Sequence, residues 1–126
     1  MGSADCSFEL DHECLTLEDK KIALNILSFT ESLPRTRTGD VIARQLIRSG
    51  TSVGANYRSA MRARSRADFI SKMAIVMEEA DESLYWLELL TESGIVKSSS
   101  LVGLTKEADE LVAMTVASIK TAKMNK

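Results

Sequence analysis

An all-α fold, an up-down-up-down four-helix bundle, is what this chain predicts, and three observations carry the prediction. Only one proline and six glycines interrupt 126 residues. Ala, Leu, Ile, Val, Met, Glu and Arg dominate while aromatics make up 5%, the composition of packed helices rather than of sheets. Apolar residues recur three and four positions apart through four segments with short connections, and short connections make successive helices antiparallel neighbours. At 44% hydrophobic residues the chain is long enough for one core and too short for two. The expected organisation is a flexible leader over residues 1–15 followed by a single bundle domain over residues 16–126.

The first helix is expected from about Leu17 to Ser32. Thr16 and Asp19 stand in capping-box spacing, and Ile22, Ile26, Phe29 and Leu33 supply the apolar stripe. Pro34 and the Thr/Arg-rich stretch up to Gly39 break the pattern, and Asp40 is expected to cap the second helix. There Ile42, Leu46, Val53, Tyr57 and Ala60 fall within a sector of roughly 60° at about 100° per residue. Gly50 and Gly54 lower the intrinsic helix propensity of this segment. Their expected role is to let another helix approach closely. The run Gly50-Thr51-Ser52-Val53-Gly54 lacks the Gly-Lys-Ser/Thr ending and the preceding strand of a phosphate-binding loop.

Ser65 and Asp68 are the next capping-box signal, so a third helix starts there. Its core face reads Phe69, Met73, Val76, Met77, Ala80, Leu84 and Leu87, and it is expected to end near Ser93 with Gly94 as the stop. After the serines at 98–100, Leu101, Leu104, Ala108, Leu111, Val112 and Ile119 mark the fourth helix. Lys120 and Lys123 complement the dipole of its last turns.

The chemistry of enzymes is hard to assemble from these residues. The only histidine, His12, lies in the leader, which denies a two-metal bundle site its nitrogen ligands and a serine or cysteine nucleophile its base. The acids Glu78, Glu79, Asp81 and Glu82 plot largely away from the core stripe and read as a solvated or ion-paired face. Cys6 and Cys14 fit neither a four-ligand metal pattern nor paired bridges and read as reduced thiols. Met1 to Ala4 read as an unstructured start. No apolar run approaches the roughly 20 residues that span a bilayer. The expectation is a soluble, cytoplasmic, non-enzymatic protein with no metal, no cofactor and no membrane partner.

The most informative feature is the placement of arginine. All eight arginines lie between Arg35 and Arg66 with Asp40 as the only acid among them, a formal +7, whereas the rest of the chain sets eight lysines against seventeen acids, a formal −9. Arg44, Arg48, Arg58 and Arg62 occupy a sector of roughly 80° opposite the apolar stripe of the second helix, a cationic ribbon extending about 27 Å. Arg64 and Arg66 fall at the following turn. A guanidinium is a planar fork that grips carboxylate or phosphate at two points. The partner expected is RNA or DNA, or the acidic surface of a neighbouring subunit; the plainer alternative is that each arginine pairs with acids on the third and fourth helices of its own chain. In the first reading Arg44, Arg48, Arg58, Arg62, Arg64 and Arg66 form the nucleic-acid-binding surface. In the second they pair with acids and the assembly is a scaffold for a protein partner.

The third helix also carries a second, mixed face of Ile75, Glu79, Glu82, Trp86 and Leu89, spaced by four and three residues. A bundle consumes one apolar stripe per helix, so an added seam holding the only tryptophan suggests self-association. These five residues are the expected oligomer interface, with the carboxylates placed to receive arginine forks from an adjacent protomer; the alternative is that Trp86 packs at the bundle edge under the Pro34 loop.

Three ordered stretches, Gln45 to Asn56, Ser65 to Lys72 and Glu79 to Leu90, closely resemble the ribosomal intervening-sequence protein family, small bacterial four-helix-bundle proteins. The likeness covers nearly the whole chain after the leader. It implies an up-down bundle assembled as a ring of five subunits, without established enzymatic activity. The family is similar in turn to the accessory protein of diversity-generating retroelements, a basic pentamer that engages reverse transcriptase and nucleic acid. By position, Arg48 and Asn56 belong to the second-helix motif, Asp68, Phe69 and Lys72 to the start of the third helix, and Asp81, Glu82, Tyr85 and Trp86 to its later half. The segment Tyr57 to Arg64 is more basic than the Ala-Glu-Gly sequence common in many members.

Overall fold

The computed structural model describes residues 20–125, which form four α-helices and no strand. Helix α1 takes in residues 20–30; α2 runs over Arg37–Met61, α3 over Arg66–Glu92 and α4 over Val102–Met124, with a one-turn 3₁₀ segment, Ser98–Ser100, ahead of α4. α2 packs on α3 and α3 on α4. α1 closes the ring of helices, touching α2 through Ile26 and α4 through Glu107, which accepts from Asn25 Nδ2 at 2.9 Å and lies 3.4 Å from Lys21 Nζ. This is the up-down-up-down bundle that the periodicity predicts. The capping box expected at Thr16 and Asp19, and the residues Cys6, His12 and Cys14, lie outside the described residues.

The ends of the helices follow local chemistry. The second helix starts earlier than expected because Thr36, not Asp40, caps it: the Thr36 hydroxyl accepts from Gly39 N–H at 3.0 Å, and Asp40 falls in the first turn, where its charge suits the helix dipole. Gly39 is required there, since a Cβ would lie 2.5 Å from the Pro34 carbonyl oxygen. Ser65 caps α3 as predicted, accepting from Asp68 N–H at 3.0 Å. That helix ends at Ser93 and Gly94, whose φ of 78° is the left-handed conformation glycine adopts at little cost. The serines at 98–100 tighten into the 3₁₀ turn, and Leu101 leads into α4 without a side-chain cap.

The core is the union of the four stripes. Ile22, Ile26 and Leu33 meet Leu46, Val53 and Tyr57 of α2, Met73, Val76 and Leu87 of α3, and Leu104, Ala108 and Leu111 of α4, all buried. Phe29, Phe69, Leu84, Val112 and Ile119, placed in the core by the pattern, pack against it while partly exposed. Two buried residues escaped the apolar pattern because they are polar. Ser49 of α2 and Ser83 of α3 are almost fully buried and share a hydrogen bond of 2.8 Å. Each also reaches back along its own helix, Ser83 Oγ donating to Glu79 O at 3.0 Å. Small hydroxyls here let two helices approach and satisfy each other in the same place.

Candidate nucleic-acid interface

α2 is continuous through Gly50 and Gly54, so the cationic ribbon exists as a geometrical object. Arg44, Arg48, Arg58 and Arg62 are all exposed, whereas Ile42, Leu46, Val53, Tyr57 and Ala60 on the other side are buried. Gly50 sits where α1 packs on α2. It is buried against α1, and a Cβ on it would lie 2.5 Å from Ile26 Cδ1, so the residue that weakens the helix locally is the one that lets α1 seat.

Tertiary packing divides the ribbon into three environments. Arg44 borders a small hollow of about 270 Å³ with Glu31, Arg35 and Asp40, where charges of both signs are mixed. Arg48 reaches across to α3. Its guanidinium donates through Nη1 to Glu79 Oε1 at 3.2 Å and through Nη2 to Glu82 Oε2, while Nε is braced by Gln45 Oε1 at 3.4 Å. Arg58 and Arg62 border an open groove of about 790 Å³, and among the described residues neither makes an ion pair. Arg62 is the residue that ends α2, Arg64 lies in the turn and donates its backbone N–H to Asp68 Oδ2 at 3.3 Å, and Arg66 opens α3. Both Arg64 and Arg66 are exposed at the turn, as their spacing predicts.

The groove gathers cations that the helical wheel of α2 does not contain. Lys20 enters from α1 and Lys72 from α3, so three helices place positive charge around one hollow. Lys72 pairs with Asp68 one turn earlier at 3.3 Å, with both side chains about a third exposed. No sequence signal joins Lys20 to Arg58, because their proximity exists only once α1 lies beside α2.

The mixed face of α3 is partly engaged within the chain. Glu79 and Glu82 accept the two arms of Arg48, and Glu82 Oε2 also accepts from the Trp86 indole Nε1–H at 3.0 Å. Trp86 and Leu89 are partly buried, and Trp86 lies edge-on to Tyr85 with ring centroids 5.1 Å apart. Ile75 of the seam is 40% exposed, and Tyr85 beside it, outside the seam, is 52% exposed. Trp86 and then Arg48 hold the Glu82 carboxyl below the ordinary glutamate range, outweighing a smaller upward push from burial, and the same contact raises the guanidinium of Arg48.

A carboxyl lowered on folding contributes stability that is fully present above its unfolded value, about 4.3, and is lost as pH falls through the lower folded value. Glu82→Gln is therefore expected to cost less than about 1 kcal/mol near neutral pH, because the pair is solvent-exposed. The difference from the parent chain should shrink below pH about 4. Urea denaturation at acid and neutral pH checks this; a gap that persists undiminished in acid would assign the effect to packing.

Among the described residues no three Asp, Glu, His or Cys side chains are grouped to hold a metal ion. No described helix is long and apolar enough to cross a membrane. Among curated proteins none matches the chain. A solved crystal structure from Bacteroides thetaiotaomicron VPI-5482, a protein with unknown function from the S23 ribosomal protein family, is 33% identical and superposes with a TM-score of 0.82, covering 87% of this chain and 98% of its own. The family model described as 23S rRNA-intervening sequence protein matches residues 17–117, from the region just before the described α1 to the later part of α4. The bundle, its helix order and this match together establish that the chain belongs to the 23S rRNA-intervening sequence protein family.

Proposed function

We propose that this protein is a non-enzymatic, homo-oligomeric adaptor whose arginine surface binds RNA or DNA within a ribonucleoprotein. The observation that carries the reading is the exposure of Arg58 and Arg62 on a groove where no described acid pairs with them. Surface ion pairs contribute a median of about 0–1 kcal/mol, so fold stability alone is a weak reason to gather eight arginines in one segment. The family description refers to intervening sequences of 23S rRNA, which supplies an RNA context. A ring of subunits, five in the closest form of this proposal, repeats the groove around an axis and sums its positive potential, offsetting a formal net charge of −2 per chain. The residues of the seam, Ile75, Glu79, Glu82, Trp86 and Leu89, form the contact between subunits in this reading.

Arg58→Ala combined with Arg62→Ala is expected to weaken binding of a labelled RNA about tenfold or more near physiological salt, and to flatten the salt dependence. Fluorescence anisotropy between about 50 and 200 mM salt checks it. A parent chain that shows no salt-sensitive binding to any RNA or DNA removes the proposal. The alternative, a scaffold whose arginines pair with acids of neighbouring subunits and which recruits a protein, has a narrower base: among the described residues Arg48 is the one arginine whose guanidinium pairs with α3 acids, and those acids belong to its own chain.

A further inference from the structure

We infer that the groove between α1, α2 and α3 is a channel for the backbone of a single-stranded nucleic acid, held by Lys20, Arg58, Arg62 and Lys72. The inference rests on the nucleic-acid reading and adds to it the form of the strand and two contacts that lie off the arginine ribbon. Four cations from three helices surround the same hollow. A straight ribbon on one helix would present a flat row of charge, suited to lying along a duplex. Convergent charge around a recess suits a polyanion that enters it.

Size points the same way. The groove encloses about 790 Å³, within the roughly 300–1,000 Å³ of pockets that bury small molecules, and so takes a few nucleotides of an unpaired strand. A duplex carries a second backbone and a stack of paired bases alongside each strand, so it presents only its outer edge to the rim of the groove. Arg58 and Arg62 stand one helical turn apart, about 6 Å along the axis, so they can grip successive positions of one strand from the same wall. The hydroxyl-bearing Thr51 and Ser59 also line the groove, and Met61, 42% exposed, adds an apolar surface to it.

Lys72 already has a partner, Asp68 at 3.3 Å, but both groups are about a third exposed. Such a pair contributes little, so a phosphate entering the groove can replace the carboxylate at small cost. Lys20 and the two arginines make no ion pair among the described residues.

The test uses the full chain and fluorescein-labelled oligonucleotides of about twelve units, oligouridylate and oligothymidylate, with a mixed-sequence duplex of equal length. For a single strand, log K falls with log salt by about 0.7 per phosphate contact. Lys20→Gln and Lys72→Gln are each expected to lower that slope by about 0.7, and together by about 1.4, while Lys106→Gln on α4 leaves it unchanged. Both single strands should bind more tightly than the duplex, and their relative affinity distinguishes an RNA from a DNA ligand. Helical circular dichroism confirms that the variants fold. Salt-sensitive binding that ignores Lys20→Gln and Lys72→Gln overturns the channel and leaves the broader reading intact. Preference for the duplex overturns the channel as well. Absence of salt-sensitive binding to all three probes overturns both.

Discussion

Gly50→Leu is expected to destabilise the protein by about 3 kcal/mol, one of the two largest effects of a single substitution here. The argument is steric. An added Cβ at this position would already lie 2.5 Å from Ile26 Cδ1 and 3.4 Å from its Cγ2, and Ile26 is fully buried. A leucine adds three further carbons, so α1 has to lift from α2. The better helix propensity of leucine, worth under about 1 kcal/mol, offsets only part of this. Gly50→Ala should stay within about 1 kcal/mol of the parent, since the first clash is with the end of a side chain and the propensity gain opposes it. Adding Ile26→Ala to Gly50→Leu should recover much of the loss by exchanging volume across the contact. Urea denaturation followed by circular dichroism, run as a double-mutant cycle, reads all of these. An unaffected Gly50→Leu chain would mean that α1 does not sit on α2 at this point, and with it would go the wall that brings Lys20 to the groove.

The second large effect is Leu87→Ala, expected to cost about 2–5 kcal/mol, the range for emptying a fully buried leucine site. Its neighbour in the sequence, Trp86, is partly buried against the edge of the core, while Ile75 on the mixed face of α3 is exposed. Ile75→Ala should change the stability of the isolated subunit by no more than about 0.5 kcal/mol, because the side chain is 40% exposed. If the seam joins subunits, the same substitution lowers the sedimenting mass at micromolar protein, and Trp86→Ala does so more strongly. Removing the indole also takes away the N–H that holds Glu82. Leu87→Ala tests folding and Ile75→Ala tests association, so the pair separates the core from the proposed interface on a single helix. Unchanged mass in both Ile75→Ala and Trp86→Ala would count against the seam.

Helix identity and the core were legible because burial imposes a period of 3.6 residues on apolar side chains, and Ile42, Leu46, Val53, Tyr57 and Ala60 obey it without exception. Ser65 with Asp68, and Gly94, were legible because capping and left-handed geometry select few residue types. The Asp40 cap was misplaced by one turn. Several oxygen-bearing residues precede α2, and only the path of the Pro34 loop decides which hydroxyl reaches a free N–H. Ser49 and Ser83 were invisible for a related reason, since a polar residue carries no sign in the pattern that its partner sits 2.8 Å away on another helix.

Charge behaved differently from burial. The sequence by itself determined that every arginine lies between Arg35 and Arg66 and that Arg44, Arg48 and Arg58 share one face of α2, with Arg62 at its cap, because helical geometry is local and extends the same rule along the chain. Which cation meets an acid and which faces open space was decided only by the packing of helices. Arg48 is quenched by Glu79 and Glu82, more than thirty residues away, while Arg58 and Arg62 are joined by Lys20 and Lys72. Coulomb interactions depend on distance through space, and the periodicity of one helix does not carry the distance to another.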